Sequence, residues 1–150
     1  LFAKMATLKE PMTPIRRAPR DLDAVAALEG VRAVAAVKQG LDAGLLRQLA
    51  DQLDLSLEDL THPLRLAPRT LHRRIELGRL SLDESERLLV LAKILRRARE
   101  IFGSHEKAAH WLKSPVAALG GQSPLACAET QIGLRQVETV LTRIADVVYS

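Results

Sequence analysis

Enzyme chemistry needs a nucleophile, a metal site or a matched pair of titratable groups, and this chain holds none of these in a usable pattern. Its four histidines are His62, His72, His105 and His110. His105 and His110 stand five positions apart, so they do not share a helix face as metal ligands at i and i+4 would. Cys127 is the single cysteine. It has no CxxC partner and sits in an apolar stretch, which reads as an inert, buried side chain. The glycine pair in LGGQSP is followed by no lysine, so it is a turn and not a phosphate loop. The acids are scattered through amphipathic stretches, with no pair that can be placed across a cleft. No catalysis, no metal and no cofactor is expected.

The dense constellation is basic. Between Arg65 and Arg79 stand five arginines and one acid, Glu76. The segment reads as a helix-turn-helix: a first helix from Leu57 to about Pro63, a turn over Leu64–Ala67, and a second helix over Pro68–Leu77. Such a second helix enters the major groove of duplex DNA. Leu71 and Ile75, at i and i+4, turn one face inward and leave the polar residues outside or on the rim. Arginine can hold guanine O6 and N7 with two bonds, and threonine can bond phosphate or touch a thymine methyl. The candidate DNA contacts are therefore Arg69, Thr70, His72, Arg73, Arg74 and Arg79. Against this stand the ordinary solvated face of a short charged helix and Pro63, which removes a backbone donor beside the turn.

Helices must position these groups. No run of alternating β-branched residues and no Asn-Gly or Asp-Gly hairpin signal occurs, so the expected fold class is all-α. Asp21–Lys38 reads as one Ala-rich helix with Val25, Leu28, Val31 and Val34 at helical spacing, a weak point at Gly30 and an end at Gly40. A second helix is expected over Asp42–Leu53, on the stripe Leu45, Leu46, Leu49 and Leu53. Ser56 then caps a short helix with Glu58 and Asp59 in its first turn. Ser81 or Asp83 opens a long helix that Gly103 closes. Its Arg96, Arg97 and Arg99 are expected to bond acids of the Asp83–Glu86 type and not to extend the basic surface. Ser104 caps the next helix, Pro115 breaks it, and the Gly120–Gly121 turn leads to a short PLACAE helix. The last helix runs from Gln131 to about Asp146, with Leu134, Val137, Val140, Leu141, Ile144 and Val148 as its stripe.

Composition bounds the function. A chain of 150 residues can bury about 70% of its unfolded surface without a disulfide or metal. A lone cysteine points to a reduced, cytoplasmic setting. No apolar run approaches the roughly 18 residues of a membrane span, and Leu1–Lys9 lacks a signal-peptide pattern. Aromatics are 3%, namely Phe2, Phe102, Trp111 and Tyr149, which argues against binding single strands by base stacking. The net charge is +4 with a pI near 9.6, and its distribution is uneven. Residues 1–103 carry 18 Lys and Arg against 14 Asp and Glu, while residues 104–150 carry 4 against 4. The expected organisation is a flexible arm over 1–20, a basic helix-turn-helix module over 21–102 and a neutral, apolar-faced module over 103–150. Two such modules imply partners of two kinds.

Several residues beyond Ala98 fall in a recognisable order: Phe102-Gly103, Glu106-Lys107-Ala108, Trp111-Leu112, Leu119-Gly120-Gly121, Pro124-Leu125, Gly133 and Arg143-Ile144. This order resembles the toxin-binding domain of the Xre/MbcA/ParS antitoxins. PRTLHRR and GRLSLDESERL upstream are similar to the same family's helix-turn-helix, so the likeness spans about 110 residues. The resemblance implies a type II antitoxin that binds a RES-domain toxin, blocks its NAD-depleting active site and represses its own operon. In that family the extreme C-terminus lies at the toxin's pocket. The implied contacts here are Arg143, Asp146, Val148, Tyr149 and Ser150, with Trp111 as a further one. Members carry glycine where this chain has Val147, so the tail is expected to continue helical. A homodimer is expected, because operators are read by paired units, with the Asp21–Lys38 helix as the candidate seam. The alternative is a plain helix-turn-helix regulator whose C-terminal module dimerises or binds an effector.

Overall fold

A computed structural model describes residues 17–150 of the chain. The expected arm lies outside the described residues up to residue 16. The fold is all-helical: α1 (Leu22–Ala26), α2 (Gly30–Gln39), α3 (Leu45–Leu53), a 3-10 turn (Glu58–Leu60), α4 (Thr61–Leu64), α5 (Pro68–Leu77), α6 (Leu82–Phe102), α7 (His105–Lys113), a second 3-10 turn (Ala117–Leu119), α8 (Pro124–Cys127) and α9 (Gln131–Tyr149). Among the described residues the only extended pairing is an isolated antiparallel bridge between Asp42 and Arg79.

The single helix expected over Asp21–Lys38 is two helices, broken at Ala27–Glu29 before Gly30. The break falls at the expected weak point, where Gly30 takes φ +55°, and it is held from a distance. Lys93, on α6, donates its ammonium protons to the Ala26 carbonyl (3.1 Å), the Leu28 carbonyl and the Glu29 carboxylate (2.8 Å). Carbonyls at a helix end need partners outside the helix, and an ammonium supplies three donors at once. The second helix starts at Leu45 and not at Asp42, because Asp42 is occupied elsewhere. Its carboxylate accepts from the Gly44 amide (2.8 Å) and its backbone pairs with Arg79.

The other boundaries follow local chemistry. Ser56 and Asp59 form reciprocal bonds ahead of the first 3-10 turn, each side chain accepting from the other's amide. Ser81 and Glu84 form the same box at the start of α6, satisfying two free amides at once. Ser104 caps α7, Ser123 caps α8 and Thr130 caps α9. The last helix continues through Val147 to Tyr149, past the expected end at Asp146.

The core is leucine. The largest fully buried side chains are all leucines, from Leu22 through Leu71 to Leu112, which explains how so few aromatics suffice. One buried cluster runs from Leu22 to Leu141. Helix α6 sits at its centre, with α1 and α2 packed on one part and α7 and α9 on another. Among the described residues the one buried polar residue, Ser85, accepts a bond from the Leu41 amide (2.8 Å). Gly40 ends α2 so close to the chain after α5 that a Cβ there would lie 2.5 Å from the Leu80 carbonyl oxygen.

Candidate functional site

The basic constellation is held by α4, a turn and α5. Pro63 is buried in the first turn of α4, where a missing amide breaks nothing, so it does not interrupt the unit. Arg65 adopts left-handed backbone (φ 53°, ψ 44°) and ends α4. The Leu66 amide then bonds back to the Thr61 carbonyl (2.9 Å). Pro68 opens α5, and Leu71, fully buried, fixes its inner face.

Three of the candidate contacts, Arg69, His72 and Arg73, stand exposed along α5. Thr70 is half-buried at its start. Arg79 is exposed just beyond the helix, with its backbone paired to Asp42 and its side-chain stem against Gly40. Arg74 does something different. Its Nε donates to both Glu84 oxygens (2.8 and 3.1 Å), and the two side chains are only 23% and 12% exposed. Glu84 also accepts from the Ser81 amide (2.8 Å), so Arg74 clamps α5 onto the cap of α6.

A cleft beside this helix is lined by Arg65, Thr70, Arg87 and Gln131, among others. Arg87 spans two parts of the chain, donating to the Pro63 carbonyl and the Glu129 carbonyl (3.4 Å each). Burial, and then the neighbouring Arg65 guanidinium, hold it below the usual arginine range. Sequence periodicity missed Arg87 because its carbonyl partners lie 24 and 42 positions away. His62 and Glu129 approach to 3.8 Å across the same boundary.

Further along α6, Arg96 pairs with Glu100 (3.2 Å), Arg99 with Asp23 (2.8 Å) and Arg97 with the Thr142 hydroxyl (2.9 Å). The partners are thus not the Asp83–Glu86 acids. Glu29, beside Lys93, is held below the usual carboxylate range by the hydrogen bond and charge of that lysine.

The second surface is the end of α9. Val147, Val148 and Tyr149 are 77%, 54% and 68% exposed. Arg143, Asp146, Val147 and Ser150 follow the i, i+3, i+4, i+7 spacing of one helix face, and all are exposed. Tyr149 turns instead toward α6, where its hydroxyl donates to the Glu100 carbonyl (2.8 Å), one of the carbonyls left free at that helix end. Trp111 is half-buried with its ring 5.4 Å from Phe102, a tilted aromatic pair. Part of its surface is therefore committed to packing.

One further sequence expectation changes in detail. Cys127 is half-buried, not buried, and its thiol meets the Gln122 side-chain oxygen at 3.4 Å. Gly133, in the first turn of α9, leaves no room for a side chain: a Cβ would lie 1.7 Å from the Cys127 carbonyl oxygen. No described helix is long and apolar enough to cross a membrane.

An arginine-faced helix-turn-helix followed by a small helical module with an exposed apolar end defines a two-function binding protein of the helix-turn-helix class. Comparison with known families agrees on both parts. Residues 32–93 match the antitoxin Xre-like helix-turn-helix domain, and residues 97–146 match the antitoxin Xre/MbcA/ParS C-terminal toxin-binding domain. The chain belongs to the Xre/MbcA/ParS-type antitoxins.

Among curated relatives, an antitoxin Xre of Pseudomonas putida is 42% identical over 79 residues, which is 52% of this chain and half the length of that relative. An antitoxin Xre of Yersinia enterocolitica is 26% identical over 93% of this chain and 95% of its own length. A Sphingobium protein named Prs ADP-ribosylating antitoxin is 27% identical over 74% and 76%.

Proposed function

We propose that this chain neutralises a RES-domain toxin by seating the end of α9 in the toxin's NAD-consuming site, and represses its own operon through α5. The protein acts in the cytoplasm as a homodimer and is not itself an enzyme. Residues 21–102 serve DNA, with Arg69, Thr70, His72, Arg73 and Arg79 as contacts and Arg74 holding the helix in place. Residues 103–150 serve the toxin, with Arg143, Asp146, Val148, Tyr149 and Ser150 as contacts and Trp111 backing the module.

The carrying observation is the tail. Three consecutive apolar side chains, Val147, Val148 and Tyr149, stand more than half exposed on a helix that is already formed. A preformed helix spares the ordering cost that a flexible tail would meet on binding, and aromatic anchors of this kind dominate interface energies.

Removing Val147–Ser150 is expected to leave the fold intact and to release the toxin's NAD consumption; full inhibition by the truncated chain overturns the plugging role. For DNA, a gel shift on the chain's own promoter region is expected to show salt-sensitive binding that Arg73→Ala weakens. Equal binding by both proteins removes Arg73 from the interface.

The name of the Sphingobium relative supports a second reading of the partner, a toxin that transfers ADP-ribose from NAD to a target in place of hydrolysing NAD. Assaying the co-purified toxin for free ADP-ribose and for labelled protein separates the two chemistries.

A further inference from the structure

Helix α2 is apolar on two opposite faces. Ala33, Ala36 and Val37 pack inward against the core. On the other side Val31, Val34, Ala35 and Lys38 follow i, i+3, i+4, i+7 and are all exposed, Val31 at 84% and Val34 at 53%. A surface helix ordinarily carries polar residues on its outer face.

We propose that the outer stripe of α2 is the seam on which a second copy of this chain docks, the two α2 helices running antiparallel about a two-fold axis between Val34 and Ala35. This gives the homodimer of the preceding section, on which it rests, a defined interface.

The residue pattern fits self-pairing. In an isologous contact residue i meets j while j meets i. An axis at that point sets Val34 of one copy against Ala35 of the other, where the small side chain admits close approach. It lays Val31 along the alkyl stem of Lys38 from the second copy, a surface that lysine covers well.

Charge is complementary in the same register. Lys38 forms no ion pair among the described residues, while the Glu29 side chain, though bonded to Lys93, keeps 84% of its surface open. Antiparallel pairing brings the C-terminal turn that bears Lys38 toward the N-terminal end that bears Glu29, and it also opposes the two helix dipoles. A parallel pair would instead set lysine beside lysine.

The seam is tied to the recognition unit. Gly40, at the end of α2, abuts the Leu80 carbonyl, and the Ala43 amide bonds the Gly78 carbonyl (3.0 Å), both just past α5. Two copies joined through α2 therefore carry their α5 helices in a fixed relation, as paired half-sites require. One helix pair lies below the roughly 1,200 Å² of a standard interface, so the free dimer is weak.

Sedimentation equilibrium of the full chain over a micromolar concentration series tests the seam. Wild type is expected to be in monomer–dimer exchange. Val31→Glu combined with Val34→Glu should raise the dissociation constant by about tenfold or more, with the melting temperature and toxin capture unchanged because both sites are exposed. Lys38→Glu should weaken the dimer, and Lys38→Arg should keep it.

A wild type that stays monomeric throughout overturns the proposal, as does a double variant that dimerises like wild type. A chain that dimerises only after residues 1–16 are deleted shows that its own N-terminal segment covers the stripe, which also overturns it. Loss of toxin capture by the wild type itself would count against the antitoxin reading and leave the seam to be judged by sedimentation alone.

Discussion

Arg73 and Arg74 are neighbours in sequence and opposite in role. Arg73 stands exposed, while Arg74 lies against Glu84 with less than a quarter of its side chain exposed. Truncating Arg74 leaves Glu84 a half-buried charge without its cation, so Arg74→Ala is expected to cost about 1–3 kcal/mol. Arg73→Ala should leave the melting temperature unchanged and weaken duplex binding. Thermal denaturation beside the gel shift separates them, and equal destabilisation by the two substitutions would reject the clamp. The sequence counted both arginines among the DNA contacts off the Leu71–Ile75 face, because it could not see Glu84, which lies beyond a loop and holds Arg74.

Gly133 makes a similar point. Its place in the family's order of residues was legible, but its necessity lies in the Cys127 carbonyl oxygen only 1.7 Å from where a Cβ would stand. Gly133→Ala is expected to destabilise by about 3 kcal/mol or more, because backbone must move. Gly78→Ala, in open space at φ +80°, should cost only the left-handed penalty of about 1 kcal/mol. Denaturant melts of the two variants compare these costs directly, and equal losses would mean that close approach is not what Gly133 provides.

At the scale of elements, caps were easier to read than breaks. Ser56, Ser81 and Ser104 announce helix starts within three residues of themselves, so their signals are local. The break at Ala27–Glu29 had a weak local signal, Gly30, which takes φ +55° there, while the cation that satisfies it, Lys93, lies 64 positions from Glu29. The end of α9 combines both kinds. With valine at position 147 in place of the family's glycine the helix goes on, as that contrast implies, while the Tyr149 hydroxyl on the Glu100 carbonyl fastens the final turn to α6. Tyr149→Phe removes that bond and keeps the ring. With a bond of this kind contributing about 1 kcal/mol, amide exchange in the last turn of α9 is expected to quicken about fivefold, with little change in global stability. Unchanged exchange would mean that the final turn is held by its apolar contacts alone.

For the molecule as a whole, the division at Gly103 separates charge more sharply than it separates packing. Net charge can be summed along a sequence, and that sum placed the basic surplus before Gly103. Shared burial has no such sum. The stripe of α9, whose Leu134, Val137, Val140 and Leu141 are buried, was legible as apolar, but its docking face was not. That face includes α6, the helix that also carries α1 and α2. Residues 103–150 cut from α6 would therefore expose much of that stripe. Four such side chains contribute up to about 6–12 kcal/mol of burial, comparable with the roughly 5–15 kcal/mol that holds a whole domain together. The fragment is expected to show no cooperative melt by circular dichroism, while the full chain melts in a single transition whose calorimetric and van't Hoff enthalpies agree. Two resolved transitions in the intact chain, or a folded fragment, would mean that the toxin-binding module is independent of the helix-turn-helix. A single transition means that a substitution in the α6 core, such as Leu95→Ala, weakens DNA binding and toxin capture together.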